Sequence, residues 1–154
     1  MRKLSAPVVI LIMLLSLASC KSADKNAGNI ASDYCNCFSE LEKNMSSDTK
    51  KILSRAGDAA DPTKSLQADV IALGEEKGKQ VAEEMESLGE LEDDNSVIGR
   101  CIKGVEKKHN NAYSFNEEKT ARKIIIELEN KPGCSFTASL MKVGLKVKDK
   151  PEMQ

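Results

Sequence analysis

Cys35 and Cys37 stand two residues apart inside a stretch whose apolar residues recur at helical spacing, and this constrains the fold more than any other feature of the chain. Ile30, Tyr34, Cys37, Leu41 and Met45 follow at intervals of four, three, four and four, with Ala31 and Phe38 beside them, which predicts one amphipathic helix. On such a helix two residues i and i+2 lie about 200° apart around the axis. The two sulfurs then flank the apolar stripe and point away from each other, so a Cys35–Cys37 bond would require unwinding. Each is placed to reach a different neighbouring element. The other cysteines sit far along the chain: Cys101 in the middle of a second apolar stripe, Cys134 just after Pro132-Gly133.

Whether these cysteines are oxidised depends on where the chain folds, and its start supplies that. Met1-Arg2-Lys3 is a short basic head, Leu4–Leu17 is apolar apart from Ser5, Pro7 and Ser16, and small residues lead to Cys20. That order reads as a secretory signal. The stretch is shorter than the roughly 20 apolar residues of a membrane span, and Lys21, Asp24 and Lys25 follow at once. Leu17-Ala18-Ser19-Cys20 resembles the lipobox of bacterial lipoproteins. The resemblance implies removal of residues 1–19, a diacylglyceryl group and an N-acyl chain on Cys20, and durable anchoring, since several acyl chains hold where one does not. Lys21 rather than aspartate after the lipidated cysteine implies the outer membrane, with the periplasmic and cell-surface faces both open. The lipobox and Tyr34-Cys35-Asn36-Cys37-Phe38 together resemble small lipoproteins of Bacteroidota, from which no functional residues carry over.

With Cys20 assigned to the lipid, four of the five cysteines remain, an even number in a compartment where disulfides persist. Two bridges are expected, joining Cys35 and Cys37 to Cys101 and Cys134 in either order. Loops of these lengths would contribute on the order of 4 kcal/mol each in the chain-entropy picture. The competing chemistries lack their spacing. Neither Cys101 nor Cys134 has a second cysteine nearby for a zinc or copper site, and no Cys-x-x-Cys occurs for a redox centre.

Expected organisation follows from periodicity and stop signals. Residues 1–19 form the signal, 20–29 a lipidated tether, 30–147 a helical domain and 148–154 a flexible tail. After the first helix, Ser46-Ser47-Asp48 caps a short helix to about Arg55, and Asp61-Pro62 opens another running to about Leu91. In that helix Leu66, Val70, Leu73, Val81, Leu88 and Leu91 share a face, Lys77 intrudes on it, and Gly74, Gly78 and Ala82 form a smooth ridge at its edge. The ridge suggests close approach of another helix or, as the alternative, an apolar ligand slot; the glycines also permit a kink. Glu92–Asn95 precedes a helix carrying Val97, Ile98, Cys101, Ile102 and Val105, continued by His109 and Ala112. Ser114 and Glu117 fit a capping box for a helix that stops at Asn130–Gly133. Residues 136–147 fit either a helical stripe or an alternating strand. A lone strand would have no ladder partner, so helix is expected over about Phe136–Val143. The sum is an all-α, single-domain, disulfide-stapled bundle of five or six helices.

Composition narrows function by exclusion. Removing Arg2 and Lys3 from 23 basic side chains leaves 21 against 24 acidic, a net charge near −3, which gives no footprint for nucleic acid. Aromatics are 3% of the chain, too sparse for stacking platforms. No nucleophile motif, metalloprotease motif or phosphate loop occurs. The only histidine, His109, extends an apolar stripe as a packed residue would. The seven carboxylates of Glu83–Asp94 lack the alternation of a calcium loop and read as a solvated face. The lysines 142, 146, 148 and 150 would complement that segment or meet anionic headgroups. The expected function is a non-enzymatic, membrane-anchored interaction module with an envelope protein partner and no cofactor. A small-hydrophobe-binding bundle is the alternative, and a cysteine-based metal protein the third reading.

Overall fold

The computed structural model describes the backbone of residues 18–91, 93, 95–109 and 118–148, and their side chains apart from 18–25 and 90. Residues 1–17, the 114–117 capping box, Ala112 and the 149–154 tail lie outside the described residues. The described part is helical throughout: α1 (Ala18–Asn44), α2 (Ser47–Asp58), α3 (Pro62–Ala72), α4 (Glu75–Glu86), a 3-10 turn (Ser87–Leu91), α5 (Val97–Lys108), α6 (Glu118–Glu129) and α7 (Ser135–Lys148). No strand occurs among the described residues. These seven helices exceed the expected five or six.

The extra helix comes from Gly74. A continuous helix was expected from Pro62 to about Leu91, but Gly74 has φ +78°, a left-handed conformation that glycine adopts without penalty. Its N–H still closes on the carbonyl of Ile71, and its own carbonyl accepts from Gly78 N–H to begin α4. The chain folds back there, and α3 packs along α4. The Gly74/Gly78/Ala82 ridge is therefore not one surface. A Cβ on Gly78 would sit 3.0 Å from the Val70 carbonyl oxygen, whereas Gly74 faces open space and Ala82 is exposed. Gly78 serves close approach within this hairpin, and the three residues line no common slot. Lys77, expected to bury its stem, is largely exposed and pairs with Asp48 at 3.5 Å.

Other punctuation acts as its chemistry predicts. Ser46 caps α2, its hydroxyl accepting from Thr49 N–H at 3.2 Å. Asp61 caps α3 through Lys64 N–H, with Pro62 at the first helical position. The cap of α5 is Ser96, which accepts from Gly99 N–H at 2.8 Å. Residues 136–147 are helical within α7, which runs on to Lys148 rather than ending near Val143. At the chain's start, where a tether was expected over 20–29, the backbone is helical. Ala27 lies 2% exposed, one turn before Ile30, so burial carries the α1 stripe further back than its larger apolar residues reveal.

The core joins one face of α1 to the later helices. Ile30, Ala31, Tyr34, Phe38 and Met45 meet Leu53 of α2, Val105 of α5, Ile124, Ile125 and Leu128 of α6, and Phe136 and Met141 of α7. The helix pairs α2–α7 and α1–α6 make the broadest contacts. At the first, Gly57 lets the backbones meet: a Cβ there would lie 3.2 Å from the Ser139 carbonyl oxygen. Lys146 closes that end by donating to the carbonyls of Gly57 and Ala59 at 2.7 and 2.8 Å, capping the C-terminus of α2. Lys142 pairs with Asp58 and Glu129, which raises its pKa and lowers that of Asp58. These two lysines thus find their partners on α2 and α6, not in the 83–94 acidic segment.

One member of that segment is a structural part. Glu84 Oε2 on α4 accepts from Ser46 N–H at 2.8 Å and from the Thr49 hydroxyl at 2.6 Å, fastening α4 to the N-terminus of α2. Burial alone would raise its pKa, but the bonds from Thr49, Ser46 and Gln80 outweigh that and hold it below the ordinary value. We expect Glu84→Ala to cost about 1–3 kcal/mol in chemical denaturation, because the buried Thr49 hydroxyl and the Ser46 N–H lose a charged acceptor.

Candidate functional site

The residues singled out by sequence gather on α1, and α1 organises them by register. Three cross-links tie it to the α6–α7 region. A Cβ on Gly28 would lie 3.4 Å from the Glu127 carboxylate, Lys131 Nζ donates to the Ser32 hydroxyl at 2.7 Å, and Cys35 is bonded to Cys134. The partner is 99 residues further on in each case, so α1 and α6 run side by side in the same direction. The Pro132-Gly133 turn, with Gly133 at φ +79°, brings Cys134 under α1 as α7 begins. Cα atoms of Cys35 and Cys134 are 5.4 Å apart.

Cys37 faces the other way, as the i, i+2 geometry requires. It is bonded to Cys101 on α5, with Cα atoms 5.7 Å apart. Of the two pairings open from sequence, the structure has Cys35–Cys134 and Cys37–Cys101. Both bridges lie within or beside the buried core, with Cys37 and Cys134 themselves buried. Sulfurs committed to one another offer no thiolate for a metal or a nucleophilic step. Among the described residues no group of three or more His, Cys, Asp or Glu is placed to hold a metal ion.

Two helical turns beyond Cys101, α5 ends against α1 through charge. His109 Nε2 lies 2.9 Å from Asp33 Oδ2, and Lys108 Nζ reaches the same oxygen at 2.8 Å. Hydrogen bonds from Lys108 and His109 hold the Asp33 carboxyl below the ordinary carboxylate range. His109 is 15% exposed and packs at the end of its stripe, as its sequence context suggested. Asp33 was not legible as its partner, because the two stand 76 residues apart and only the antiparallel α1–α5 contact brings them together.

Three carboxylates, Asp33, Asp58 and Glu84, thus have lowered pKa values in the folded chain. A lowered native pKa means the unfolded state binds protons first, so each contributes stability above its unfolded pKa of about 4. That contribution is lost as pH falls through the native value. Thermal unfolding followed by circular dichroism should show a stability plateau near neutral pH, with a decline setting in below about pH 4.5. Double replacement by Asp33→Asn and Glu84→Gln should flatten that decline.

Cys20 lies in the first turn of α1. Carrying the offset of 99 back along the helix sets it level with Lys119 in the first turn of α6. No described helix is long and apolar enough to cross a membrane. No protein-family model matches the chain. No curated protein and no solved structure matches it either.

Proposed function

We propose that this protein is a non-enzymatic envelope lipoprotein, anchored through Cys20 in the outer membrane and acting by contact with an envelope protein partner. The observation that carries the reading is the order of the first twenty residues: a basic head, an apolar stretch, and Leu17-Ala18-Ser19-Cys20. Acyl chains on Cys20 would hold the chain to a bilayer without any spanning helix. The fold is consistent with that use. Its helices are fastened around α1, the element that begins beside Cys20, and the paired sulfurs suit an oxidising compartment.

The anchor is tested by growing cells with an alkyne-tagged palmitate. The wild-type chain should take up label and fractionate with outer membranes after carbonate washing. Cys20→Ser should take up no label and leave the washed membrane fraction. Retention of Cys20→Ser in washed membranes would show an uncleaved apolar anchor instead. Cross-linking of the lipidated chain in intact cells should then return a reproducible envelope partner, and protease treatment of those cells tells the surface from the periplasmic face.

A further inference from the structure

Three grooves open on the described surface, and they differ in chemistry. The first, about 310 Å³, carries Asp58, Arg122, Lys142 and Lys146, whose charges are already engaged within the fold. The second, about 550 Å³, is rimmed by Glu40 and Glu84, with Asn44, Ser87, Asn95 and Ser96 among its walls. The third, about 460 Å³, is apolar. Phe38 of α1 and Met141 of α7 form its buried floor, and Leu91, Leu140 and Leu145 its half-buried walls. Lys148 lies at its end, and no carboxylate lines it among the described residues.

We infer that this third groove binds a single-chain amphiphile with an anionic head, of the fatty-acid class. A volume of some hundreds of Å³ with apolar walls and one fixed polar group is what such a ligand needs. From Leu140 to Lys148 the groove follows α7 for about 12 Å, the length of two helical turns. An acyl chain laid along it would cover the leucines, with its carboxylate at the Lys148 ammonium. Gly144 gives the chain room: a Cβ there would meet nothing within 4 Å, so backbone is open between Leu140 and Leu145. The ligand must come from outside. Phe38 is eighteen residues along α1 from Cys20, about 27 Å, beyond the reach of chains attached there. The inference therefore does not depend on the anchor.

The test uses the full chain in phosphatidylcholine nanodiscs and a photoreactive C12 fatty acid, with cross-links mapped by peptide mass spectrometry. Labelling should concentrate on the peptides holding Phe38, Leu91 and residues 140–145, and laurate should compete better than dodecanol. Gly144→Leu fills the groove and favours helix. It should cut labelling by more than about tenfold, the equivalent of losing two buried methylenes, with helix content and both disulfides retained. Lys148→Glu should weaken competition by laurate about fivefold and leave dodecanol unchanged. Labelling spread evenly over the helices, or undiminished in a folded Gly144→Leu chain, overturns the site. Equal competition by alcohol and acid overturns the anionic head.

Discussion

Reduction of both disulfides is expected to lower the melting temperature by roughly 10 °C or more, the largest loss available from a single treatment. Each bridge closes a long loop, 99 residues for Cys35–Cys134 and 64 for Cys37–Cys101. Loss of either alone should cost about 2–5 kcal/mol, and the effects will not add, because both constrain the same stretch of α1. Paired serine substitutions, Cys35→Ser with Cys134→Ser and Cys37→Ser with Cys101→Ser, separate the two contributions in denaturant titrations. The pairing itself is checked by electron-transfer fragmentation, which can cleave on either side of Asn36. Cys35 must be found with Cys134 and Cys37 with Cys101. The exchanged pairing would mean that α1 is turned about its axis from the orientation described here.

The second large effect is expected at Tyr34. It lies 2% exposed between the two bridges' helix faces, at the centre of the cluster joining α1 to α5, α6 and α7. Burial raises its phenol pKa well above the ordinary value, with Glu106 adding to the effect, so the ring stays neutral across the physiological range. Tyr34→Ala would remove a buried aromatic from a position that cannot collapse freely while the neighbouring Cys35 is fixed. A loss of about 3–5 kcal/mol is expected in chemical denaturation at neutral pH. A loss below about 1 kcal/mol would show that this part of the core is loosely filled.

The contrast between Tyr34 and Gly74 shows what could be read in advance. Tyr34, Phe38 and Leu128 were placed in the core by a period that follows from helix geometry, and all three are buried. Ser46, Asp61 and Pro62 marked helix starts because their side chains or missing N–H act locally. Gly74 was seen as tolerable inside a helix, since its cost there is only about 1 kcal/mol. Whether the chain bends at such a residue depends on what α3 and α4 gain by packing together, which no local window contains. Asp33 and Glu84 were illegible for the same reason. Each looked like part of a solvated face, and each became a specific acceptor only when a distant helix terminus was set against it.

By itself the sequence determined an all-helical chain, the face of α1 that is buried, and the opposed directions of Cys35 and Cys37, because all three rest on the 3.6-residue repeat. Tertiary structure alone decided which distant cysteine meets each of them, where the 62–91 segment divides, and which carboxylates become caps. Those outcomes depend on the relative placement of whole helices, and that is set by side chains packing across separations of 64 to 99 residues.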